Sequence, residues 1–595
     1  MPSPRFSYER FQTAIRSTIQ NEHLLLVVLA LIVGCIAGAA VILLREAIAF
    51  IQISTFGVPT DSLALFDMEL APWLIIGTPT LGGLIVGLIT WKFMPNGRNQ
   101  NVADVVEASA MRAGHMSSRI GFVAAINSAI SIGAGASVGR EGPAVHLGAS
   151  LAGWIARRLH LSRSLSRTIL GCGVAAAVSA SFNAPIAGAL FAAEVVVGQY
   201  ALKTFAPIVV ASVAGTALSH VHFGDTSAFL LGDHNIRSFW EFPAFILLGV
   251  VCAAGAIILM HGIFLSQRLA AATPLPVWLK PACAGLAVGI IAIWLPQVLS
   301  VGYGFTEWAI LGQYDLTLLI AIGIAKIVAT SLCLGFGFAG GVFSPALVLG
   351  AAIGSAYGLI SADVFPTLAS GIGVYTVVGM GAVAAAVLGA PISTTLIIFE
   401  LTGDYKLSLA VMLAIVVATE ITHHLFGPSF FVEQLRRRNI DLRDGFEAEI
   451  LETLRVRNIL DHGTSLEAET IPMDTPLEVI REKLSNSSSG ELFVVTPDGA
   501  LFGTITLHDI GETFFDPACD GVLIAADVAR PHPPVLMEGD NLRTAMRVMR
   551  DTGEEHIAVL RDKHTKKFTG CVHHRDVMTA YNRALLRVRH EEHNQ

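Results

Sequence analysis

Residues 139–143 read Gly-Arg-Glu-Gly-Pro, set between the apolar stretches AAINSAISIGAGASV and AVHLGASLAGWIA. A charged pair in such surroundings is costly and marks a functional position by default. A second stretch, Gly-Gly-Val-Phe-Ser-Pro at 340–345, lies in similarly apolar sequence. In each, glycine interrupts the helical pattern and a proline suits the start of a new helix, which places helix N-termini at Pro143 and Pro345. A helix start presents N–H groups without partners and the positive end of the dipole. Two such starts meeting inside a membrane would hold a small anion without a fixed positive side chain. An ion held that way can also leave quickly.

The elements that must carry these residues are membrane helices. Of 595 residues, 53% are hydrophobic and 14% are charged, and the mean hydropathy is +0.62. Soluble chains carry roughly 25% charged residues. The charges are sparse up to about Phe431 and dense beyond Arg436, which divides the chain into a membrane domain and a soluble tail. The start of the chain is polar and basic for too long to be a cleaved signal. The first apolar run, LLLVVLALIVGCIAGAAVILL, is long enough to span a bilayer. Arg5, Arg10 and Arg16 precede that run, while the loop after it holds Asp61, Asp67 and Glu69 and no basic residue. Arg157, Arg158, Arg163 and Arg167 form a later cluster, and Arg436, Arg437 and Arg438 close the membrane part. The positive-inside rule then puts both termini in the cytoplasm. A net charge of −8 gives no reason to expect nucleic acid as a partner. The seven cysteines are scattered without metal or redox spacing and read as small buried hydrophobes.

The membrane domain contains a repeat. GAGASVGREGPAVHLGA from Gly133 and GFGFAGGVFSPALVLGA from Gly335 align without gaps, with eight identities in 17 positions. About one or two would be expected from composition. FNAPIAGALFAAE, ending at Glu194, and LGAPISTTLIIFE, ending at Glu400, follow in the same order. Close helix packing would account for one glycine-rich stretch. Two in register, each with its proline, are a signature of transport proteins built from related halves. Broken helices must line protein or a watery cavity, because exposed backbone cannot face lipid.

GREGP, GGVFSP, FNAPIAGALFAAE and the closing SFFVEQLRRRNI, in this order, resemble the CLC chloride channel and transporter family over about residues 22–440. The resemblance implies two inverted halves, about 22–220 and 240–430, after a cytoplasmic segment 1–21. It also implies a homodimer with a pore in each subunit and chloride as the transported ion. Glu141 matches the family's gating glutamate, a carboxylate that competes with the anion for its site. Gly139, Arg140 and Gly142 flank it. Gly340 and Gly341 make the second turn, and Val342 and Phe343 match positions whose backbone N–H groups hold the central anion. Four positions depart from the family pattern. Gln100, in Asn-Gln-Asn-Val-Ala, stands where the family has a chloride-coordinating serine, and Ala103 stands where it has proline. Phe431 stands where the family has a tyrosine, so one hydroxyl donor is absent. Val195 stands where proton-coupled members carry an internal glutamate, and valine cannot carry a proton. Glu194 and Glu400 match each other and read as structural helix-end acids. Lys326 reads as pairing with an acid or a carbonyl, and His146 as a packing residue.

The tail, 441–595, shows two units of the same order, about 453–515 and 525–583. Each has an amphipathic helix, a β-run, a turn, then Gly and Asp before a closing helix. The tail resembles a tandem CBS pair, and pairing would bury sheet faces that one small unit leaves exposed. That resemblance implies adenine-nucleotide binding through Thr506, Asp509 and Asp576, where His573 replaces the second hydroxyl residue. A purely structural pairing is the other reading. The expected fold is therefore a polytopic α-helical membrane protein followed by a small α/β CBS module, in the inner or plasma membrane. The expected function is passive, channel-like anion conduction gated by Glu141, with proton/chloride antiport as the alternative. No catalytic set, metal motif or required cofactor is expected, which leaves an intramembrane enzyme or receptor without support.

Overall fold

A computed structural model describes residues 22–57, 71–198, 202–224, 236–440, 451, 454–460, 468–487, 489–511 and 519–593. Arg5, Arg10, Arg16, Asp61, Asp67 and Glu69, which carried part of the orientation argument, lie outside the described residues. The chain divides into two units, Met1–Leu442 and Arg443–Gln595.

Among the described residues, the first unit has helices as its regular elements. In order it comprises α1 (Glu22–Phe56), α2 (Pro72–Phe93), α3 (Val102–Met111), α4 (Ser118–Gly133), α5 (Glu141–Arg158), α6 (Arg163–Phe182), α7 (Pro185–Phe191), α8 (Leu202–Phe223) and α9 (Phe242–Ala272). Then follow α10 (Lys280–Trp294), α11 (Tyr303–Ile310), α12 (Leu316–Phe336), α13 (Phe343–Val364), α14 (Ile372–Leu388), α15 (Pro391–Thr402), α16 (Tyr405–Leu425) and α17 (Phe430–Arg436). Among the described residues, eight helical spans are long and apolar enough to cross a membrane. The shorter apolar helices are α4, α10, α14, α15 and the segment Pro185–Val197 that begins with α7.

The repeat seen in sequence is a repeat in space. α4 ends at Gly133 and α12 at Phe336, and the chain then turns through Gly135 (φ 92°) and Gly337 (φ 101°). These aligned glycines occupy backbone that L side chains rarely adopt. α5 packs on α6 where Gly148 faces Gly173, and α13 packs on α14 where Gly350 faces Gly379; a Cβ at any of these four would strike the partner's carbonyl oxygen. Such small-residue contacts let membrane helices approach closely, since apolar side chains gain little by leaving lipid for one another.

The second unit holds two similar sheets. β1 (Thr470–Pro472), β2 (Glu491–Val495), β3 (Leu501–Thr506) and β4 (Arg530–Pro531) form one; β5 (Val535–Met537), β6 (His556–Leu560) and β7 (Phe568–His573) form the other. In each, a parallel pair is followed by an antiparallel one, with a register shift near the end of the middle strand. The sheets meet at the bridge Ala500–Lys567 and over buried Phe493, Ala558 and Cys571. That junction covers apolar faces which single units would leave in water.

Candidate anion site

The two helix interruptions, 134–140 and 337–342, touch. Gly139 N–H donates to Gly341 O at 2.8 Å, and Gly341 N–H donates to Gly139 O at 2.8 Å. The segments entering α5 and α13 therefore form a two-bond antiparallel bridge between the halves. A Cβ on Gly142 would stand 2.9 Å from Gly341 Cα, and one on Gly341 would stand 2.9 Å from Gly142 N. Glycine at 142 and 341 thus serves the approach of one backbone to the other.

Both helices start two residues before their prolines, at Glu141 and Phe343, so Pro143 and Pro345 occupy the third helical position rather than the first. Proline is tolerated throughout a first turn, where N–H groups have no intrahelical acceptor, and so does not fix the starting residue. The first intrahelical bonds come from Ala144 to Arg140 O (3.1 Å) and from Ala346 to Val342 O (3.0 Å). The N–H groups of Glu141, Gly142, Phe343 and Ser344 precede that ladder. Neither N-cap residue, Arg140 or Val342, supplies a side-chain cap.

Glu141 is buried, at 4% exposure, at this junction. Its Oε1 accepts from Tyr303 Oη at 2.6 Å and its Oε2 accepts from Ser344 Oγ. Arg140 Nε lies 3.8 Å from Oε1, and the Arg140 guanidinium sits 4.8 Å from the centre of the Tyr303 ring. Tyr303 is positioned from several sides. Lys326 Nζ, buried on α12, donates to Val298 O and Ser300 O, each at 3.1 Å. Ser300 N–H donates to Gly135 O at 3.1 Å, and Gln52 Nε2 donates to Ser300 Oγ at 2.7 Å. The turn ahead of Tyr303 is thereby fastened to the first interruption, and Lys326 pairs with carbonyls, one of its two expected kinds of partner.

A cavity of about 450 Å³ opens from the junction. Glu141, Gly142, Gly340, Gly341, Val342, Phe343, Gln100 and Phe431 line it, so eight residues singled out in the sequence converge. Arg98, Lys280, Arg437 and Arg438 also line it, and Glu141 is the acid among its described lining residues. Three of these cations are paired just outside the lining, Arg98 and Arg438 with Asp104 and Arg437 with Glu433 at 2.9 Å, while Lys280 Nζ donates to Ala270 O at 2.6 Å; with Glu141 counted, four cations face three acids. Gln100 lies in a loop tied on both sides: Asn99 Nδ2 donates to Gly337 O at 3.0 Å, and Asn101 caps α3 and donates to Gln434 Oε1 at 3.0 Å. Asp104 anchors the same region, accepting from Arg98 at 2.7 Å and Arg438 at 3.1 Å. Phe431 presents a ring and no hydroxyl.

Three residues at the site carry contacts that sequence reasoning did not assign. Ser344 sits inside the Gly-Gly-Val-Phe-Ser-Pro stretch, where its hydroxyl was in view. Tyr303 follows an unremarked turn and carries no signal of its own. His146 is more than packing, because its Nε2 lies 2.9 Å from Gln100 Oε1.

Val195 stands apart, half-buried in a π-helical turn over Ala192–Val197. Its neighbour Glu194 accepts from Ile392 N–H (3.1 Å), Ser393 N–H (2.8 Å) and Ser393 Oγ at the start of α15. Glu400 accepts from Ile186 N–H (2.9 Å) and Ala187 N–H (2.8 Å) at the start of α7. Each half thus caps a helix of the other. In the tail, Thr506 N–H and Oγ bond Asp509 Oδ2 at 2.9 and 2.7 Å, an N-terminal cap. Asp576 is buried, and its Oδ2 has no partner among the described residues.

Residues 82–423 match the family model for the voltage-gated chloride channel, and 457–513 and 525–583 match CBS domains. A ClcB-like chloride channel protein of Ralstonia nicotianae is 32% identical over 417 residues, 69% of this chain and 96% of that one. The chain belongs to the CLC family. CLC proteins are chloride channels and transporters, not enzymes, and this one carries a tandem CBS module behind its membrane domain. Its fold is shared by a slow cyanobacterial Cl−/H+ antiporter (TM-score 0.62, 22% identity, covering 69% of this chain and 97% of that one). It is shared too by a eukaryotic CLC transporter (TM-score 0.60, 18% identity, covering 93% and 97%).

Proposed function

We propose that this CLC protein conducts chloride and similar small anions passively, with the Glu141 carboxylate as the gate. The observation that carries this reading is the Glu141 carboxylate at the meeting point of two helix N-termini, at the head of a basic cavity. An anion entering past Lys280 and the acid-paired Arg98, Arg437 and Arg438 would meet the amide of Gln100 and the backbone donors of 342–344. It would then displace the carboxylate from the junction. The carboxylate is a substitute anion, retained by two hydroxyls, and it leaves when protonated or when chloride competes. Phe431 offers no hydroxyl, so the central ion has one donor fewer and is held less tightly.

Passive conduction rather than exchange rests on Val195, an apolar side chain where a relay acid would be needed, while Glu194 is committed to capping α15. Antiport is the second reading, favoured by the shared fold of a protein known as a Cl−/H+ antiporter. The chain acts as a homodimer with its termini in the cytoplasm, and the CBS pair is the place for an adenine nucleotide, with Asp509 and Asp576 as ribose ligands. Thr506 and Asp509 bond each other, so a nucleotide there must share that cap.

The test is flux from liposomes followed with chloride and proton electrodes. Chloride release without proton movement is expected, and Glu141→Ala is expected to keep flux high while removing its pH dependence. Uphill proton movement driven by a chloride gradient would overturn the passive reading. Intact pH dependence in Glu141→Ala would overturn the gate.

A further inference from the structure

We propose that His146 sets the anion affinity and selectivity of this pathway by fixing which end of the Gln100 amide faces the ion. The inference rests on the reading of the cavity as the anion path. A primary amide has a donor end and an acceptor end of nearly equal size. Only the NH2 end stabilises an anion, and the carbonyl end repels it. A glutamine is therefore a poor substitute for a hydroxyl at an anion site unless something prevents it from turning over.

His146 is placed to do this. It lies on α5, the helix that begins at Glu141, and is 1% exposed. Its Nε2 is 2.9 Å from Gln100 Oε1, while Gln100 itself lines the cavity. With its proton on Nε2, the imidazole donates to Oε1 and occupies the carbonyl end. The two amide hydrogens are then left for the cavity.

The opposite arrangement would have Gln100 donate to a bare Nε2 and turn its carbonyl toward the ion. The proton would then sit on Nδ1, which is buried without a partner among the described residues. A buried N–H with no acceptor is rarer and more costly than a buried acceptor with no donor. Hydrogen-bond chemistry thus assigns the Nε2–H tautomer. The neighbours leave Gln100 little freedom to evade it, because Asn99 and Asn101 are tied to Gly337 and Gln434. His146 is a positioning residue, acting on the ion through Gln100.

The experiment measures chloride binding to full-length purified protein by calorimetry, with bromide, nitrate and fluoride permeability ratios in liposomes. His146→Leu is expected to weaken chloride binding about tenfold, the scale of one oriented hydrogen bond, and to shift the ratios. His146→Gln, whose amide can donate to the same oxygen or, turned over, accept from the Gln100 NH2, is expected to restore the binding only in part. In a Gln100→Ala background, His146→Leu is expected to change nothing further. Equal losses in both backgrounds, or no loss in the native background, would overturn the proposal. If Gln100→Ala alone leaves chloride binding intact, the assignment of Gln100 as a ligand fails first, which separates that outcome from an error about His146. Retained thermal stability in each variant distinguishes lost positioning from lost fold.

Discussion

Consider Tyr303→Phe, which deletes one oxygen atom from the proposed gate. The Tyr303 hydroxyl donates to Glu141 Oε1 at 2.6 Å, and Ser344 Oγ donates to Oε2. Phenylalanine keeps the ring, and with it the Arg140 guanidinium 4.8 Å from the ring centre. The change therefore removes the hydroxyl's hydrogen bonding, chiefly the bond to the carboxylate, and leaves the ring in place. Such bonds contribute about 1.5–3 kcal/mol net. If the carboxylate in this position blocks the ion, the blocked state loses that stabilisation and the state with the carboxylate displaced does not. At about 1.4 kcal/mol per factor of ten, the equilibrium moves toward the displaced state by about 10- to 150-fold.

The assay is chloride efflux from liposomes at a pH where the native protein is mostly closed, with open probability in planar bilayers as a second readout. Flux is expected to rise, and Ser344→Ala should act in the same direction. Neither change should add to Glu141→Ala, which has no carboxylate to retain. A fall in flux would refute the reasoning at its base, because it would mean that the hydroxyl-held carboxylate is the open conformer, parked out of the ion's way. An unchanged flux in folded protein would mean that these bonds do not govern the gate.

Two further outcomes test the junction and the tail. Gly142→Ala puts a Cβ 2.9 Å from Gly341 Cα, backbone against backbone with no flexible side chain to yield. It should cost about 1–3 kcal/mol, as overpacking does, and appear as a lower melting temperature together with weaker chloride binding. In the tail, Glu491 is 4% exposed on β2, and its carboxyl is pushed up from 4.5 to about 7, by burial first and then by the charge of Glu554. Between those values the folded tail holds a proton that the unfolded chain has released, so stability falls as pH rises from about 4.5 to 7 and levels off above. Glu491→Gln should remove that slope and stabilise the tail above pH 7 by on the order of 3 kcal/mol. Hydrogen exchange at β2 and β6 in the full-length protein, corrected for intrinsic rates, would show it; a slope that persists in the variant would refute the assignment.

The candidate site was legible in the sequence through its backbone chemistry and hidden where side chains converge from distant segments. Glycine and proline restrict local conformation strongly, so the two breaks, their register and their duplication could be read directly, and Gly135 and Gly337 do carry positive φ. Proline could not fix the helix starts, because any of the first positions tolerates it. Tyr303 and His146 acquire their contacts from residues 162 and 46 positions away. No periodicity or spacing encodes such pairs, and an apolar helix makes a packing histidine the natural expectation. Lys326 was partly legible, since a buried ammonium must find acceptors. Which carbonyls it finds depends on the fold.

The same fold holds carboxylates at helix starts in two different ways, one suited to a permanent cap and one to the exchange proposed for Glu141. Glu194 and Glu400 each accept from two successive backbone N–H groups of a helix in the opposite half. These donors cannot rotate away, and withdrawing the acid would uncap a helix and loosen the contact between halves. Glu141 belongs to the first turn of its own helix, and its oxygens are held by hydroxyls from α11 and α13. A hydroxyl can turn to another acceptor, or accept a hydrogen bond instead, without disturbing the backbone. The N–H groups at this junction are thus not committed to a carboxylate, and the bridge at Gly139 and Gly341 holds the two helix starts together without it. On the gating proposal the acid would leave and return while this bridge keeps the scaffold closed, which is the condition a side-chain gate at a helix-end anion site must satisfy.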